Sequence, residues 1–287
     1  MTNKRSDFRF LEPLRVRWAE VDMQKIVFNG HYLMYFDTAV AGYWRALAMP
    51  YHETMEAMQG DLFVRKATLE YEASARYDEQ LVVGIRCGRI GNSSLVFHAA
   101  VFRGDQRLVH GELVYVFADP VAQTSKPVPP ALREWFQAYE DGARMAEVQQ
   151  GDWVTLGEAS RAIRQAVFID EQRIRADLVV DAADPLAVHA VAFNRIGLAL
   201  AAGRLLPARD GVGQIGRLAT LASMRGVHLG RAVLEALLAA ARERGDRQVM
   251  LMAQASAVSF YERLGFERHG AMFEEAGIPH QEMRRAP

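Results

Sequence analysis

The feature that most restricts the fold of this 287-residue chain lies near its C-terminal end, at residues 215–232. An apolar segment runs into a turn rich in arginine and glycine, and the turn runs into an amphipathic segment. Glycine has no Cβ, so it lets a turn curl closely round a ligand. The first turn of a helix adds unpaired N–H groups and the positive end of the helix dipole. The stretch predicts a strand, a turn and a helix that together cradle a pyrophosphate.

A second motif follows about thirty residues later, where residues 259–266 read SFYERLGF. The pair of motifs resembles the GNAT acetyltransferase superfamily, which uses acetyl-CoA. Arg225, Gly226 and Gly230 match the loop pattern, and His228 stands where the middle glycine usually stands. The segments 167–172 and 274–280 are similar to short sequence motifs at equivalent places in a bacterial GNAT subgroup. The resemblance to the superfamily covers residues 151–285.

This resemblance implies specific roles for the turn and for the strand before it. Thr220 contacts the pantetheine arm of CoA through its backbone, and the N–H of Leu218 faces the acetyl oxygen. The residues expected at the cofactor are Leu218, Thr220, Arg225, Gly226, His228 and Gly230.

Tyr261 occupies the position of the GNAT tyrosine that donates a proton to the departing CoA thiolate. A thiol with a pKa of ~8.5 leaves more readily when a positioned acid protonates it. The alternative is that Tyr261 only packs beside Phe260. Three further residues either deprotonate or bind the amine acceptor, or form salt bridges and caps, and these are Glu171, Glu274 and His280.

In the N-terminal half, the spacing between apolar residues changes along the chain. Apolar residues recur at three- and four-residue spacing over residues 32–47, which predicts a helix with a wide apolar face, and Pro50 marks its end. Alternation of period two then predicts strands at 67–73 and 81–87, followed by strands at 95–102 and 108–117. A short strand is expected at 14–19. Successive strands with no helix between them imply an antiparallel meander wrapped round the one helix.

This pattern resembles the hotdog fold, of the 4-hydroxybenzoyl-CoA thioesterase type. Asp22, Val27 and Tyr32 match the pattern Asp-x-x-Gly-x-Val-x-x-x-x-Tyr, and Lys25 replaces its glycine. The resemblance extends to about residue 130. The expected fold class is therefore α+β: an N-terminal hotdog domain, with an antiparallel sheet wrapped round a long helix, followed by a mixed α/β GNAT domain.

In thioesterases of this type the acid at Asp22 attacks the thioester or activates water. The start of the helix, near Asn29 and Gly30, polarises the thioester carbonyl through backbone N–H groups. Asn29, Gly30 and Tyr32 are the expected substrate-binding residues. The alternative for Asp22 is a loop or N-cap carboxylate, and nearby Glu20 is expected to be solvated or salt-bridged.

A composition change at residues 149–152 marks the expected domain boundary. Residues 131–149 are predicted to be a linker helix that closes the first domain, so the domains are 1–148 and 149–287. Beyond the boundary the expected strands are 153–156, 186–194, 198–205, 214–221 and 249–253. The expected helices there are 159–171, one over 233–241 that ends near Gly245, and 257–264.

Composition excludes several classes of protein. The 34 Lys and Arg nearly balance the 35 Asp and Glu, which gives no electrostatic case for nucleic acid or an anionic membrane. The single Cys87 excludes an intramolecular disulfide framework and favours a reducing compartment. No apolar run reaches the ~20 residues that span a bilayer, residues 1–9 lack a signal-peptide core, and no Cys/His cluster supports a metal site. A cytoplasmic protein is expected.

These observations predict a bifunctional enzyme that hydrolyses an acyl-CoA thioester and transfers an acetyl group from acetyl-CoA to an amine. The hotdog resemblance implies a homodimer or homotetramer. One alternative is that one domain is a non-catalytic CoA-binding or dimerisation module, which Lys25 and His228 at usual glycine positions motivate. Another is a hydratase or dehydratase, but hotdog dehydratases depend on a His/Glu or His/Asp pair, and the Asp22 motif argues against it.

Overall fold

The structure is a computed structural model that describes residues 4–275 and 277–287. The chain forms two compact units, Met1–Met145 and Ala146–Pro287, which we call the N-terminal and C-terminal domains. The boundary expected from sequence, between residues 148 and 149, falls inside a strand of the C-terminal domain, Ala146–Gly151. In the described part of the chain, no helix is long and apolar enough to cross a membrane.

The N-terminal domain is a five-stranded antiparallel sheet with three helices. Its strands are β1 (Phe10–Arg15), β2 (Asp61–Tyr71), β3 (Gln80–Ile90), β4 (Ser94–Arg103) and β5 (Gln106–Ala118), in the spatial order β1-β3-β4-β5-β2. Its helices are α1 (Asn29–Ala46), α2 (Tyr51–Ala57) and α3 (Pro130–Glu140). This is the hotdog arrangement that the sequence predicts, with the four strands of the meander confirmed.

Helix α1 is the centre of this domain. Most of its apolar residues are buried, as Phe36 and Tyr43 at 0% exposure illustrate, whereas Met34 is exposed. The Tyr43 ring meets Phe97 of β4 edge-on at 5.9 Å and stacks on Phe136 of α3 at 6.3 Å between centroids. The short first strand lies earlier than expected from the sequence, at Phe10–Arg15, because Trp18–Glu20 forms a 3₁₀ turn.

The predicted linker helix over 131–149 is wrong beyond residue 140. Helix α3 ends at Glu140, and Gly142 then takes a φ of 89°, the left-handed conformation that stops a helix. The chain continues into strand β6, Ala146–Gly151, whose backbone groups pair with a neighbouring strand. Helix α3 itself docks on the N-terminal domain, because Trp135 Nε1 donates a hydrogen bond to the Leu47 carbonyl oxygen at 2.9 Å.

The C-terminal domain is a seven-stranded sheet with helices α4 (Trp153–Arg164), α5 (Leu229–Arg244) and α6 (Val258–Glu262). Its strands are β6 (Ala146–Gly151), β7 (Val188–Asn194), β8 (Ala199–Leu205), β9 (Val212–Thr220), β10 (Gln248–Gln254), β11 (Glu267–Glu275) and β12 (Ile278–Arg285), in the order β11-β12-β10-β9-β8-β7-β6. Neighbours are antiparallel except β9 and β10, which run parallel. This is the mixed α/β arrangement expected for a GNAT domain.

One expectation for the start of this domain is wrong. The strand predicted at 153–156 is the first turn of α4, because the Asp152 carboxylate accepts the Thr155 N–H at 2.9 Å and caps the helix. The helix predicted over 159–171 is confirmed, with an earlier start: α4 covers Trp153–Arg164 and continues as a π-helical segment, Gln165–Glu171. The strands expected near β7, β8, β9 and β10 and the helix that ends at Gly245 are confirmed.

The position of β6 generates a test of the domain boundary. A fragment that begins at Ala146 keeps the whole strand, whereas one that begins at Gln149 loses half of the pairing with β7. Because each lost backbone hydrogen bond costs about 1 kcal/mol, we expect the shorter fragment to melt at least ~3 °C lower. Thermal unfolding of the two fragments under the same conditions measures this difference, and equal melting temperatures would contradict the placement of the boundary.

Candidate active sites

A cavity of the C-terminal domain lies where two parallel strands separate. Strands β9 and β10 pair only from Gln248↔Val212 to Met250↔Gln214. Beyond these positions Leu218 and Thr220 on one strand, and Gln254 on the other, line a cavity of about 1320 Å³. Parallel strands that separate expose backbone N–H and C=O groups that a ligand can pair with. The cavity can therefore hold an extended, amide-containing chain along β9.

The turn after β9 closes one end of this cavity. Residues Arg225, Gly226, His228 and Gly230 all line it, and α5 begins at Leu229 with no side-chain cap at its N-terminus. Its first N–H groups are therefore open to an anion. A Cβ on Gly230 would come within 3.1 Å of Thr220 Oγ1, so glycine keeps the cradle open at this point.

His228 holds a backbone conformation that glycine adopts easily. Its φ and ψ are 64° and 11°, which is the left-handed conformation that glycine adopts most easily, and Gly226 before it has a φ of 87°. The cradle thus keeps a glycine-like turn at residue 228. The cost is backbone strain, because a left-handed residue other than glycine is disfavoured by about 1–2 kcal/mol.

Tyr261, on α6, also lines the cavity. Its ring packs against Phe260 and Phe266, with centroids 5.0 and 5.7 Å away, and burial raises the pKa of its hydroxyl to about 12. Tyr261 therefore both packs against neighbouring aromatic rings and lines the cavity. The raised pKa keeps the hydroxyl protonated at neutral pH.

Arg225 and Glu171 form an ion pair at the cavity wall. Two hydrogen bonds of 2.8 and 2.6 Å join the guanidinium to the carboxylate. This bond lowers the pKa of Glu171 and outweighs the smaller opposing effect of burial. Glu171 is thus the salt-bridged residue that the sequence left as one of two alternatives. Glu274 does not line the cavity, whereas His280 does.

A buried cluster of charges beside the cavity is absent from the sequence prediction. Asp184 is 0% exposed and accepts hydrogen bonds from Arg164 and Arg204 at 2.8 and 2.7 Å. Arg204 also binds Asp181 and holds the pKa of that carboxyl at about 2. Arg217 is the fifth charged member of this cluster. The five residues are spread over 54 positions of the sequence, and no spacing pattern connects them.

Arg217 connects this cluster to the cavity. It sits on β9 immediately before Leu218 with a φ of 54°, and its guanidinium donates to the carbonyl oxygens of Leu178 and Val179 at 2.7 and 3.1 Å. The same guanidinium reaches Asp181 at 3.0 Å. Arg217 therefore anchors the segment around Leu178 against the strand that presents the Leu218 N–H.

In the N-terminal domain Asp22 lies in a tight loop before α1. The Asp22 N–H bonds the Ile26 carbonyl at 3.0 Å, and its carboxylate accepts the Gln24 N–H at 2.8 Å. Lys25 has a φ of 62°, so it too holds the glycine-like conformation of the residue it replaces. Asp22 is thus a carboxylate in a loop, as one of the two alternatives expected, and its half-buried side chain is partly accessible to solvent.

Helix α1 begins immediately after this loop. Asn29 and Gly30 are exposed in its first turn, and no side chain caps the helix at Phe28. The Tyr71 hydroxyl donates to the Asn29 carbonyl at 3.2 Å. The arrangement leaves a helix N-terminus, with its positive dipole end, next to a carboxylate loop.

Two buried residues hold the loop to the helix. Glu20 accepts the Tyr35 hydroxyl at 2.7 Å and both the backbone and side-chain N–H of Arg17. Burial alone would raise its pKa, but these bonds together lower it. Tyr32, expected to bind substrate, is buried, and its hydroxyl oxygen accepts the Ala75 N–H at 2.9 Å. This bond joins α1 to the connection between β2 and β3, and the Ala75 carbonyl oxygen in turn accepts the N–H of Val27 at the end of the loop.

Among residues 4–275 and 277–287, no group of three His, Cys, Asp or Glu side chains is arranged to hold a metal ion.

Comparison with known proteins follows the division into two domains. The profile of the acetyltransferase (GNAT) domain matches residues 168–286, and that of the thioesterase superfamily matches residues 24–110. An uncharacterized N-acetyltransferase of Bacillus subtilis, YjcF, is 32% identical over 124 residues, which are 43% of this chain and 87% of that protein. The chain belongs to the GNAT acetyltransferases through its C-terminal domain.

The N-terminal domain is a hotdog domain of the thioesterase superfamily. The acyl-CoA thioester hydrolase YbgC of Escherichia coli O6:H1 is 25% identical over 127 residues, which are 43% of this chain and 92% of that protein. Among solved structures, a putative N-acetyltransferase from Lactobacillus plantarum is 29% identical and covers 50% of this chain and 99% of its own, with a TM-score of 0.47. The two profile matches make the chain a fusion of a thioesterase-superfamily domain and a GNAT acetyltransferase domain.

The strain at His228 predicts a measurable difference between two substitutions. His228→Gly removes the left-handed strain, whereas His228→Ala removes the imidazole but keeps a Cβ in the same conformation. We expect the glycine variant to exceed the alanine variant by about 1 kcal/mol in the free energy of unfolding of the C-terminal domain. Denaturant titration of both variants checks this, and equal stabilities would show that the turn relaxes without strain.

Proposed function

We propose that this protein is a bifunctional acyl-CoA enzyme. Its N-terminal domain hydrolyses an acyl-CoA thioester, and its C-terminal domain transfers the acetyl group of acetyl-CoA to a primary amine. The observation that carries the proposal is the cavity at the separation of β9 and β10, because all six expected CoA-binding residues and Tyr261 line it. The names of the relatives, an N-acetyltransferase and an acyl-CoA thioester hydrolase, support the two activities.

In acetyl transfer, the separated strands receive the pantetheine arm, and the open N-terminus of α5 receives the pyrophosphate. The residues assigned to CoA are Leu218, Thr220, Arg225, Gly226, His228 and Gly230. The amine nitrogen attacks the acetyl carbonyl, and negative charge develops on its oxygen. The Leu218 N–H is placed by this proposal to bind that oxygen, which is the electrostatic contribution of the strand.

Tyr261 is assigned to the departing sulfur. Its pKa of about 12 lies well above the ~8.5 of a free thiol. The hydroxyl therefore keeps its proton in the ground state and donates a hydrogen bond to the sulfur as negative charge builds up there. The proton moves to the sulfur as the carbon–sulfur bond breaks, since the negative charge on the departing sulfur is then greatest.

In thioester hydrolysis, Asp22 is assigned as the nucleophile or as the base that activates water. The substrate carbonyl lies at the start of α1, where Asn29 and Gly30 are exposed and the helix has no side-chain cap. The backbone N–H groups there stabilise the oxyanion. Tyr32 contributes by holding the loop through Ala75 rather than by facing solvent.

We further propose a homodimer or homotetramer that forms through the N-terminal domain. Strand β2 lies at the edge of the sheet and carries exposed Phe63, Val64 and Tyr71. An exposed edge strand with large apolar side chains favours association. The near balance of charge and the single cysteine support a cytoplasmic protein without nucleic-acid or membrane partners.

The alternative assigns one domain a non-catalytic CoA-binding or dimerisation role. Lys25 and His228, which replace family glycines, are the observations that motivate it. Both residues hold left-handed backbone conformations, with φ values of 62° and 64°, so both loops keep their glycine-like turn. This geometry favours two active domains.

Release of free thiol from a panel of acyl-CoAs, with and without primary amines, tests the proposal. Asp22→Asn is expected to lower amine-independent release about 100-fold, and Tyr261→Phe to lower amine-dependent release about 100-fold. The two residues lie in different domains, so each variant is the control for the other. If Asp22→Asn leaves hydrolysis unchanged, the N-terminal domain is a binding or dimerisation module; if no amine raises the rate, the transferase assignment fails.

A further inference from the structure

A hydrogen bond determines which ring nitrogen of one histidine at the cavity carries the hydrogen. His280, on β12, is 9% exposed and lines the cavity. Its Nδ1 lies 2.8 Å from the carbonyl oxygen of Ile278. A carbonyl oxygen only accepts hydrogen bonds, so Nδ1 must carry the hydrogen. In the neutral ring the other nitrogen, Nε2, then keeps a lone pair.

The ring of His280 is also held in orientation. Phe273 stands opposite it in the register of β11 and β12, and the two rings stack with centroids 6.0 Å apart and planes 25° apart. The hydrogen bond that the ring makes to a described residue is the one at Nδ1. A fixed ring with a lone pair at a cavity is the arrangement that a general base requires.

The carboxylates nearby are less suited to this role. Glu171 is bound by Arg225 through two hydrogen bonds, which lower its pKa. Glu274 does not line the cavity. Glu275 does line the cavity, and it interacts electrostatically with Arg217. It is therefore the competing candidate for the general base, and an experiment must distinguish it from His280.

The residues next to His280 indicate the kind of amine. Phe273, which stacks on its ring, and Ile278, whose carbonyl oxygen bonds its Nδ1, both line the cavity. Elsewhere the same cavity is lined by the apolar Phe168, Ile174, Leu178 and Val179, as well as by polar and charged side chains. Apolar surface of this kind gains free energy by burying an apolar or aromatic group.

We propose that His280 is the general base that deprotonates the acceptor, and that the acceptor is a primary amine on an apolar or aromatic skeleton. The inference rests on the acetyl transfer proposed above. His280 Nε2 takes one proton from the ammonium group, and the freed nitrogen lone pair forms the bond to the acetyl carbon. The carbon–sulfur bond breaks, and the sulfur takes the proton of Tyr261. The remaining excess proton on nitrogen restores Tyr261, and His280 releases its proton to water.

The protonation state is tested without any amine. Nitrogen-15 NMR of the full chain labelled at histidine, with His280→Gln to assign the signal, reports which ring nitrogen carries hydrogen. We expect the neutral ring to carry its hydrogen on Nδ1 and none on Nε2. Hydrogen on Nε2 alone would overturn the proposal, because that nitrogen then has no lone pair to accept a proton.

The catalytic role is tested with acetyl-CoA and two probes of the proposed class, benzylamine and tyramine. His280→Gln of the full chain is expected to lower kcat for acetyl transfer about 100-fold, with the KM for acetyl-CoA unchanged, and added imidazole should partly restore His280→Ala. The control is His269→Gln, since His269 is exposed on the same hairpin and does not line the cavity. We expect this control to keep the kcat of the unsubstituted protein.

The outcomes separate the two proposals. If the unsubstituted protein acetylates a probe and His280→Gln does so equally well, the role of His280 is wrong and the transferase assignment stands. Loss of activity in Glu275→Gln but not in His280→Gln would move the base to Glu275. If the unsubstituted protein acetylates spermidine or glucosamine but neither probe, the acceptor class is wrong; if it acetylates no amine, the transferase assignment fails and the role of His280 fails with it.

Discussion

The separation of β9 from β10 is the constraint on which the C-terminal domain depends. A parallel pair normally continues its ladder of hydrogen bonds, yet here the pairing ends at Met250 and Gln214, and the strands line a cavity instead. Buried backbone groups left without partners are costly, so such an opening persists only where a ligand or water completes it. The neighbouring elements complete the site at this opening. Helix α5 places its uncapped N-terminus at one end, and Arg217 anchors the segment around Leu178 beside β9.

Backbone conformation, rather than residue identity, is what the two candidate sites preserve. Lys25 in the Asp22 loop and His228 in the CoA turn both replace family glycines, and both adopt the left-handed conformation. Each site accepts the strain because surrounding bonds determine the turn, as the Asp22 N–H bond to Ile26 does in the first loop. Glu20 plays the equivalent supporting part at α1, where Tyr35 and Arg17 satisfy its buried carboxylate.

Much of this arrangement follows from the sequence, because local patterns carry it. The period of 3.6 over α1 and the period of two over β3 each reflect one buried face, and the turn at residues 225–230 depends on adjacent residues alone. The errors occur where tertiary structure overrides the local pattern. Polar β6 is a strand because β7 pairs with it, and β11 is exposed along its whole length, so it carries no alternation to detect. The cluster of Arg164, Asp184 and Arg204 joins distant positions and leaves no motif, and the proton position on His280 depends on a carbonyl that only the folded hairpin supplies.

The central claim is that the opening between β9 and β10 binds CoA through backbone groups. Hydrogen exchange of the full chain, measured by mass spectrometry with and without saturating CoA, tests it most directly, since amide exchange slows when an N–H group gains a partner. The account predicts slower exchange in peptides that cover residues 216–231, with β6 and β7 unchanged. Unchanged exchange over 216–231 at a CoA concentration that saturates binding would contradict it, because CoA would then be bound somewhere other than the opening between the strands.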